Sequence, residues 1–174
     1  MITLDVARIS TPIGPLLLFA RGEVLVGLEF ATEKSRAHFL RARFERHLGA
    51  TETREARDPA GAATRLAAYF AGDRRALESQ NVELLGTPFE LAVWRELRRI
   101  PAGKTISYTE LATRVGRPNG PRAVGQANGR NPVAIVVPCH RVIAADGTLG
   151  GYGGGLERKR ALLTLEGALE PELV

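Results

Sequence analysis

Apolar positions in the first third of the chain come in short blocks of strand length. Residues 4–9, 15–20 and 24–30 form three such blocks, and Arg21-Gly22-Glu23 between the last two predicts a hairpin. After Thr32 the period lengthens to that of a helix, with Phe39, Leu40, Phe44 and Leu48 on one face. Asp58-Pro59 opens a second helix running through Leu66 and Phe70 and closed by Gly72. Residues 82–85 are a short strand candidate. No pattern in residues 1–86 points to chemistry, so this half reads as a scaffold.

The second half changes character at Thr87-Pro88-Phe89-Glu90, where a capping threonine, a proline at the first helical position and an early glutamate start a helix. Leu91, Val93, Trp94, Leu97 and Ile100 give it an apolar side. Ser107 precedes Glu110 by three residues and caps a further helix that buries Leu111, Ala112 and Val115 and stops at Gly116. The turn Arg117-Pro118-Asn119-Gly120 then leads into residues 121–130, rich in small side chains. Two short helices around a tight turn predict a helix-turn-helix. The small residues Ala123, Gly125, Ala127 and Gly129 let a backbone come close either to a nucleic acid or to another helix.

An apolar run at residues 133–137 follows and predicts a buried strand ending at Pro138-Cys139-His140-Arg141-Val142. Proline lacks an N–H for a sheet ladder and biases the residue before it to extended backbone, so the chain turns outward at the cysteine. A lone cysteine is most often a small buried hydrophobe. This one has an imidazole and a guanidinium beside it, the surroundings that make a thiolate. Adjacent side chains diverge, so a water between Cys139 and His140 is easier than direct contact. Asp146-Gly147 is a turn, and Gly150-Gly151-Tyr152-Gly153-Gly154-Gly155 reads as a loop allowing close approach to a ligand. A last helix, Leu156–Leu165, ends at Glu166, a carboxylate of the wrong sign for that end of the dipole, which points to a specific partner.

Composition narrows the class. With 174 residues, 44% hydrophobic and 25% charged, the chain can bury a core as one domain or two small ones. Its single cysteine excludes an internal disulfide, and no Cys/His cluster at ligand spacing suggests a metal. Nothing resembles an export signal or a membrane span, so a cytoplasmic, metal-free protein is expected. The formal charge of +5 lies mostly in the second half, where 12 Lys and Arg face 8 Asp and Glu. Between residues 95 and 141 there are nine basic side chains (Arg95, Arg98, Arg99, Lys104, Arg114, Arg117, Arg122, Arg130 and Arg141) against Glu96 and Glu110 alone. Such an excess around a reactive cysteine suggests a polyanion, with nucleic acid the leading candidate.

The run from Asn131-Pro132 to Val142, followed by Gly-Tyr-Gly-Gly-Gly-Leu-Glu-Arg-Lys and Leu-Leu-Thr-Leu-Glu-Gly, resembles the O6-alkylguanine-DNA alkyltransferases, also called methylated-DNA:protein-cysteine methyltransferases. The likeness is close over residues 87–167. It is looser before that, where Thr11-Pro12-Ile13-Gly14-Pro15 is similar to bacterial members. The resemblance implies an α/β (α+β) fold. A ribonuclease H-like domain with an antiparallel hairpin would span residues 1–86, and a mostly helical winged helix-turn-helix domain residues 87–174.

It also implies roles. Cys139 would accept the alkyl group, His140 deprotonate it through a water, and Glu166 orient the imidazole. Asn131 would tie the recognition helix to the active-site turn. Tyr108 and the Gly153 N–H would surround the guanine, with Tyr152, Gly154 and Lys159 nearby and the Cys139 and Val142 carbonyls accepting from the exocyclic amine. Arg122 would fill the space left by an extruded base in duplex DNA, beside DNA contacts from Ala123, Gly125, Asn128 and Arg130. Gly153 stands where some relatives have serine, and the N-terminal zinc ligands of some relatives have no counterpart. No cofactor and no obligate protein partner are implied, and a monomer is expected. Two other classes use parts of the same pattern. A cysteine hydrolase needs its histidine close to the sulfur, which the tandem Cys139-His140 argues against. A non-catalytic damage sensor or regulator would use the same helices, but alkyltransferase-like sensors lack the cysteine.

Overall fold

A computed structural model describes residues 1–32 and 34–172, without the side chain of Ser35. The chain divides into two compact units, Met1–Gly86 with Pro132–Val136, and Thr87–Asn131 with Val137–Val174.

In the first unit the three strand blocks become β1 (Ile2–Ile9), β2 (Leu16–Arg21) and β3 (Val24–Phe30), with the hairpin joining β2 and β3. Gly22 sits at φ 59° in that hairpin turn, a backbone state glycine enters without steric cost. A fourth strand, β4 (Thr51–Glu55), pairs parallel with β1 and completes a sheet of order β3-β2-β1-β4. The sequence pattern did not reveal β4. Its residues Thr-Glu-Thr-Arg-Glu are polar and mostly exposed, and it is held through ladder bonds and the cross-strand pairs Thr3 with Glu52 and Asp5 with Arg54.

Helix α1 (Lys34–Leu48) packs on this sheet, burying Leu40 and Phe44 against Leu4, Phe19, Val26 and Leu85. It lies so close over β3 that a Cβ at Gly27 would come within 2.8 Å of the Phe44 ring. The expected second helix starts late. Pro59–Gly61 forms a 3-10 turn with Ala60 at φ 53°, and α2 (Ala62–Phe70) follows. Asp58 still acts as its cap, since one carboxylate oxygen accepts from the N–H groups of Ala63 at 2.7 Å and Thr64 at 3.2 Å. In place of the strand expected at residues 82–85 there is an isolated bridge between Val82 and Leu25.

The apolar run at 133–137 is not the strand expected. Val133 makes one parallel bridge to Leu28, flanked by bonds from Leu28 N–H to the Pro132 carbonyl and from Ala134 N–H to the Leu28 carbonyl, each 3.0 Å. The chain then turns through Ile135 at φ 70°, an uncommon state for a β-branched residue, and stays buried throughout. A proline on each side limits ladder bonding, and burial of the aliphatic side chains replaces it.

The second unit holds α3 (Pro88–Leu97), β5 (Ile106–Ser107), α4 (Tyr108–Arg114), α5 (Pro121–Gly129), β6 (Val142–Ile143) and α6 (Leu156–Leu165). The helix-turn-helix is α4 and α5, and α5 also packs on α3, where the buried Trp94 indole donates to the Ala127 carbonyl at 2.8 Å. Strands β5 and β6 pair in parallel. The capping box on α3 is complete: Thr87 accepts from the Glu90 N–H at 3.2 Å, and Glu90 accepts from the Thr87 N–H at 3.3 Å. Thr87→Ala removes the first bond and is expected to cost about 1 kcal/mol. Urea unfolding should show this as a lower midpoint with an unchanged slope.

Among the described residues no helix is long and apolar enough to cross a membrane. Nor is any group of three or more His, Cys, Asp and Glu side chains there placed to hold a metal ion.

Candidate functional site

Cys139, His140 and Arg141 form one 3-10 turn between Pro138 and β6. With about three residues per turn, successive side chains leave the turn in different directions. The turn is held by main-chain bonds from the Cys139 N–H to the Val137 carbonyl at 2.8 Å and from the Arg141 N–H to the Pro138 carbonyl at 3.0 Å. The Asn131 amide, just past the end of α5, donates to the Val137 carbonyl at 2.7 Å and fixes the approach to the turn from the helix side.

His140 is fully buried and its Nε2 lies 2.7 Å from Glu166 Oε1. Burial lowers its pKa below the usual 6.5, the charges of Arg141 and Lys159 act in the same direction, and Glu166 opposes them only in part. The imidazole is therefore neutral at neutral pH. Against an ionised carboxylate, which only accepts, Nε2 must carry the proton and donate. Nδ1 is then the basic nitrogen, and it has no protein hydrogen-bond partner among the described residues.

Glu166 caps the end of α6, fully buried. The partner its placement called for is Arg141. Arg141 Nε donates to Oε2 at 2.9 Å and Nη2 to Oε1 at 2.8 Å, while Nη1 donates to the Ile100 carbonyl at 2.7 Å. Burial alone would raise the Glu166 pKa, but the hydrogen bond from His140 and the bonds and charge of Arg141 outweigh it and bring it down to about 2. Arg141 was counted with the basic interval facing a polyanion, yet it is buried and spends its donors internally. The sequence held one signal for this, a carboxylate at the wrong end of a helix with an arginine in the reactive turn.

Cys139 is 8% exposed, and its carbonyl accepts from the Val142 N–H and, at 3.3 Å, from the Asn128 amide. Asn128 was expected to face DNA. It lies instead on the buried side of α5, because its amide is drawn to the Cys139 carbonyl. Tyr108 opens α4, whose cap is Ser107 accepting from the Glu110 N–H at 3.0 Å. Its ring lies beside Gly125 of α5 and Gly150 of the glycine-rich loop, where a Cβ would stand 3.7 Å and 3.4 Å from it. Gly125 itself is half-exposed, so it borders both this ring and the surface of α5. Burial raises the Tyr108 pKa, the Cys139 charge adds to this, and the Asn128 side chain acts the other way, so the phenol keeps its proton.

Lys159 was expected beside a ligand. Its side chain is fully buried, and its ammonium donates to the carbonyls of Val142 at 2.7 Å, Gly151 at 3.2 Å and Leu149. These bonds staple the glycine-rich loop to β6. Burial takes its pKa down to about 8 against support from the Cys139 charge. Tyr152 is half-buried, Gly153 exposed and Gly154 buried in that loop. On α5, Arg122, Gln126 and Arg130 are exposed and Ala123 half-exposed, and Arg95, Arg99 and Lys104 are exposed elsewhere in the unit.

Fold and site together define a winged helix-turn-helix protein with a cysteine set beside a carboxylate-held imidazole, joined to a small α/β unit. Residues 88–168 match the 6-O-methylguanine DNA methyltransferase DNA-binding domain, and residues 6–84 match the ribonuclease-like domain of the same proteins. The chain is 46% identical over 166 residues to a methylated-DNA–protein-cysteine methyltransferase of Mycobacterium bovis, covering 94% of this chain and 92% of that one. It is 44% identical over 170 residues to one from Salmonella typhimurium, covering 97% and 99%. The crystal structure of Mycobacterium tuberculosis OGT in complex with DNA superposes with a TM-score of 0.76 at 43% identity, covering 96% of this chain and 94% of that one. The chain belongs to the 6-O-methylguanine DNA methyltransferase family.

Proposed function

We propose that this chain repairs DNA by moving an alkyl group from O6 of guanine to Sγ of Cys139, once per molecule. The observation that carries this reading is the turn that sets Cys139 next to a neutral histidine, itself held by a buried carboxylate and guanidinium. His140 Nδ1, through a water, takes the thiol proton. The thiolate attacks the alkyl carbon, an S–C bond forms, the C–O6 bond breaks, and the pair of electrons leaves on the guanine oxygen. The protonated Tyr108 phenol donates to the ring as that charge develops, and the guanine regains a proton. No side chain here can reverse a thioether, which makes the protein a reagent.

A carbon inside a base stack is out of reach, so the nucleotide turns out of the duplex into the site. Arg122 at the exposed start of α5 occupies the space it leaves, with α5 in the minor groove and Ala123 and Arg130 on its outer side. Exposed cations on phosphates give sequence-independent, salt-sensitive binding by a monomer. The Val142 carbonyl, with one lone pair on Lys159, has a second for the exocyclic amine. The Cys139 carbonyl already accepts twice and contributes less. Lys159 acts at one remove, by holding the loop that presents the Gly153 N–H, Tyr152 and Gly154. O4-alkylthymine is a second substrate for the same thiolate.

Incubation with a duplex carrying one O6-methylguanine should leave one methyl group per protein, on the Cys139 peptide, and restored guanine in the DNA. An unmodified protein, or a label on another residue, ends the proposal. The pH dependence follows from the neutral imidazole. Protonation of His140 removes the base, so the transfer rate should hold through pH 6.5, the ordinary histidine pKa, and fall only below it. Stability should fall on acidification too. The unfolded chain takes up a proton on His140 below pH 6.5 and on Glu166 below about pH 4.5, before the folded chain does. Urea unfolding at stepped pH checks this.

A further inference from the structure

We infer that Arg141 is a positioning residue for alkyl transfer, which fixes His140 Nδ1 as the proton-accepting atom by locking Glu166 in its ionised, acceptor-only form. This rests on the transfer reading above. The guanidinium places two parallel donors on the two oxygens of Glu166 and a third on the Ile100 carbonyl, so three of its N–H groups are bound within the protein and the carboxylate plane is set. One of those oxygens, Oε1, is shared with His140 Nε2 at 2.7 Å. A carboxylate held by a permanent cation has no proton to offer, so Nε2–H must be the donor and the lone pair is left on Nδ1. His140 and Arg141 come from one turn and reach one carboxylate on α6, which makes the arrangement rigid. The charged groups acting on the imidazole are Glu166 and Lys159, both from the α6 segment, and Arg141 from its own turn. Arg141 and Lys159 oppose protonation and Glu166 favours it, and the thiol of Cys139 shares the turn.

The test is the pH profile of the single-turnover transfer rate from an O6-methylguanine duplex, for the intact protein and two variants, with duplex affinity and its salt dependence measured alongside. In Arg141→Met the opposing cation is gone and an imidazolium-carboxylate pair can form. Its acid limb should move up by about one pH unit or more. In Arg141→Lys, which keeps charge without the fork, the limb should stay within about half that shift while the rate drops on the order of tenfold. Duplex affinity and salt dependence should match the intact protein in both variants. An unmoved limb in Arg141→Met overturns the inference, as does an Arg141→Lys rate equal to that of the intact protein. So does a loss of duplex affinity with an unchanged transfer rate, which would make Arg141 a phosphate contact. If Arg141→Met does not fold, the lysine variant alone decides. Failure of the intact protein to label Cys139 sinks the transfer reading itself, and is thereby distinguishable.

Discussion

Cys139→Ser should fold, bind the duplex as tightly as the intact protein and transfer no alkyl group. The turn around residue 139 is held by main-chain bonds and by the Asn128 and Asn131 amides, all of which a serine leaves in place. The chemistry is another matter. A thiol starts near pKa 8.5, within reach of a neutral imidazole as proton acceptor, whereas an alcohol lies far above it and is a poor nucleophile toward an alkyl carbon. Removing the nucleophile of a catalytic unit costs on the order of 10⁶-fold in the best-measured hydrolase. Here no acyl intermediate or solvent route substitutes for it, so the loss should reach the limit of detection. Peptide mass spectrometry of the protein and fluorescence anisotropy of the labelled duplex give the two readings. Methylation of the Cys139→Ser variant on the substituted side chain, at a rate near that of the intact protein, would contradict the role given to the sulfur.

Much of this was legible in the sequence because local chemistry specified it. Thr87 with Glu90 and Ser107 with Glu110 announce helix starts that the structure has, with a complete capping box at Thr87 and the single bond from the Glu110 N–H at Ser107, and Gly22 marks the hairpin. What escaped was set by contacts remote in sequence. β4 has no apolar alternation, since it exists through parallel pairing with β1, nearly fifty residues away. The run at 133–137 is apolar enough for a strand, but composition cannot say whether buried backbone pairs in a ladder or coils on itself, and Ile135 takes the second course. At the site, Cys139, His140 and Glu166 were readable as a motif. Asn128 and Lys159 were placed near DNA and guanine by resemblance alone, and only the fold shows the amide nitrogen of the one and the ammonium of the other donating to backbone carbonyls. Arg141 carried the same ambiguity in reverse. Its charge fits phosphate, and its bonds go to a carboxylate that the chain brings back from residue 166.

Glu166→Gln tests that carboxylate, and it should hurt twice. First, the guanidinium of Arg141 stays buried with only the Ile100 carbonyl as a full partner, facing an amide that offers donors as well as an acceptor. Breaking a buried pair from one side costs about 3–5 kcal/mol, which urea unfolding should register. Second, His140 loses the anion that fixes its tautomer. The analogous carboxylate-to-amide change in a serine protease triad lowers turnover by about 10⁴-fold, and a loss of roughly 10²–10⁴-fold in transfer rate is expected here. Stability and rate can be separated. Glu166→Met combined with Arg141→Leu removes both charges, and apolar replacement of a buried pair is often neutral or stabilising, so much of the lost stability should return. The rate should not, because Nε2 then has no acceptor and the imidazole is free to carry its proton on the wrong nitrogen. A double variant that regains both would mean that the carboxylate serves the fold alone, and a Glu166→Gln protein with undiminished transfer would remove it from the mechanism.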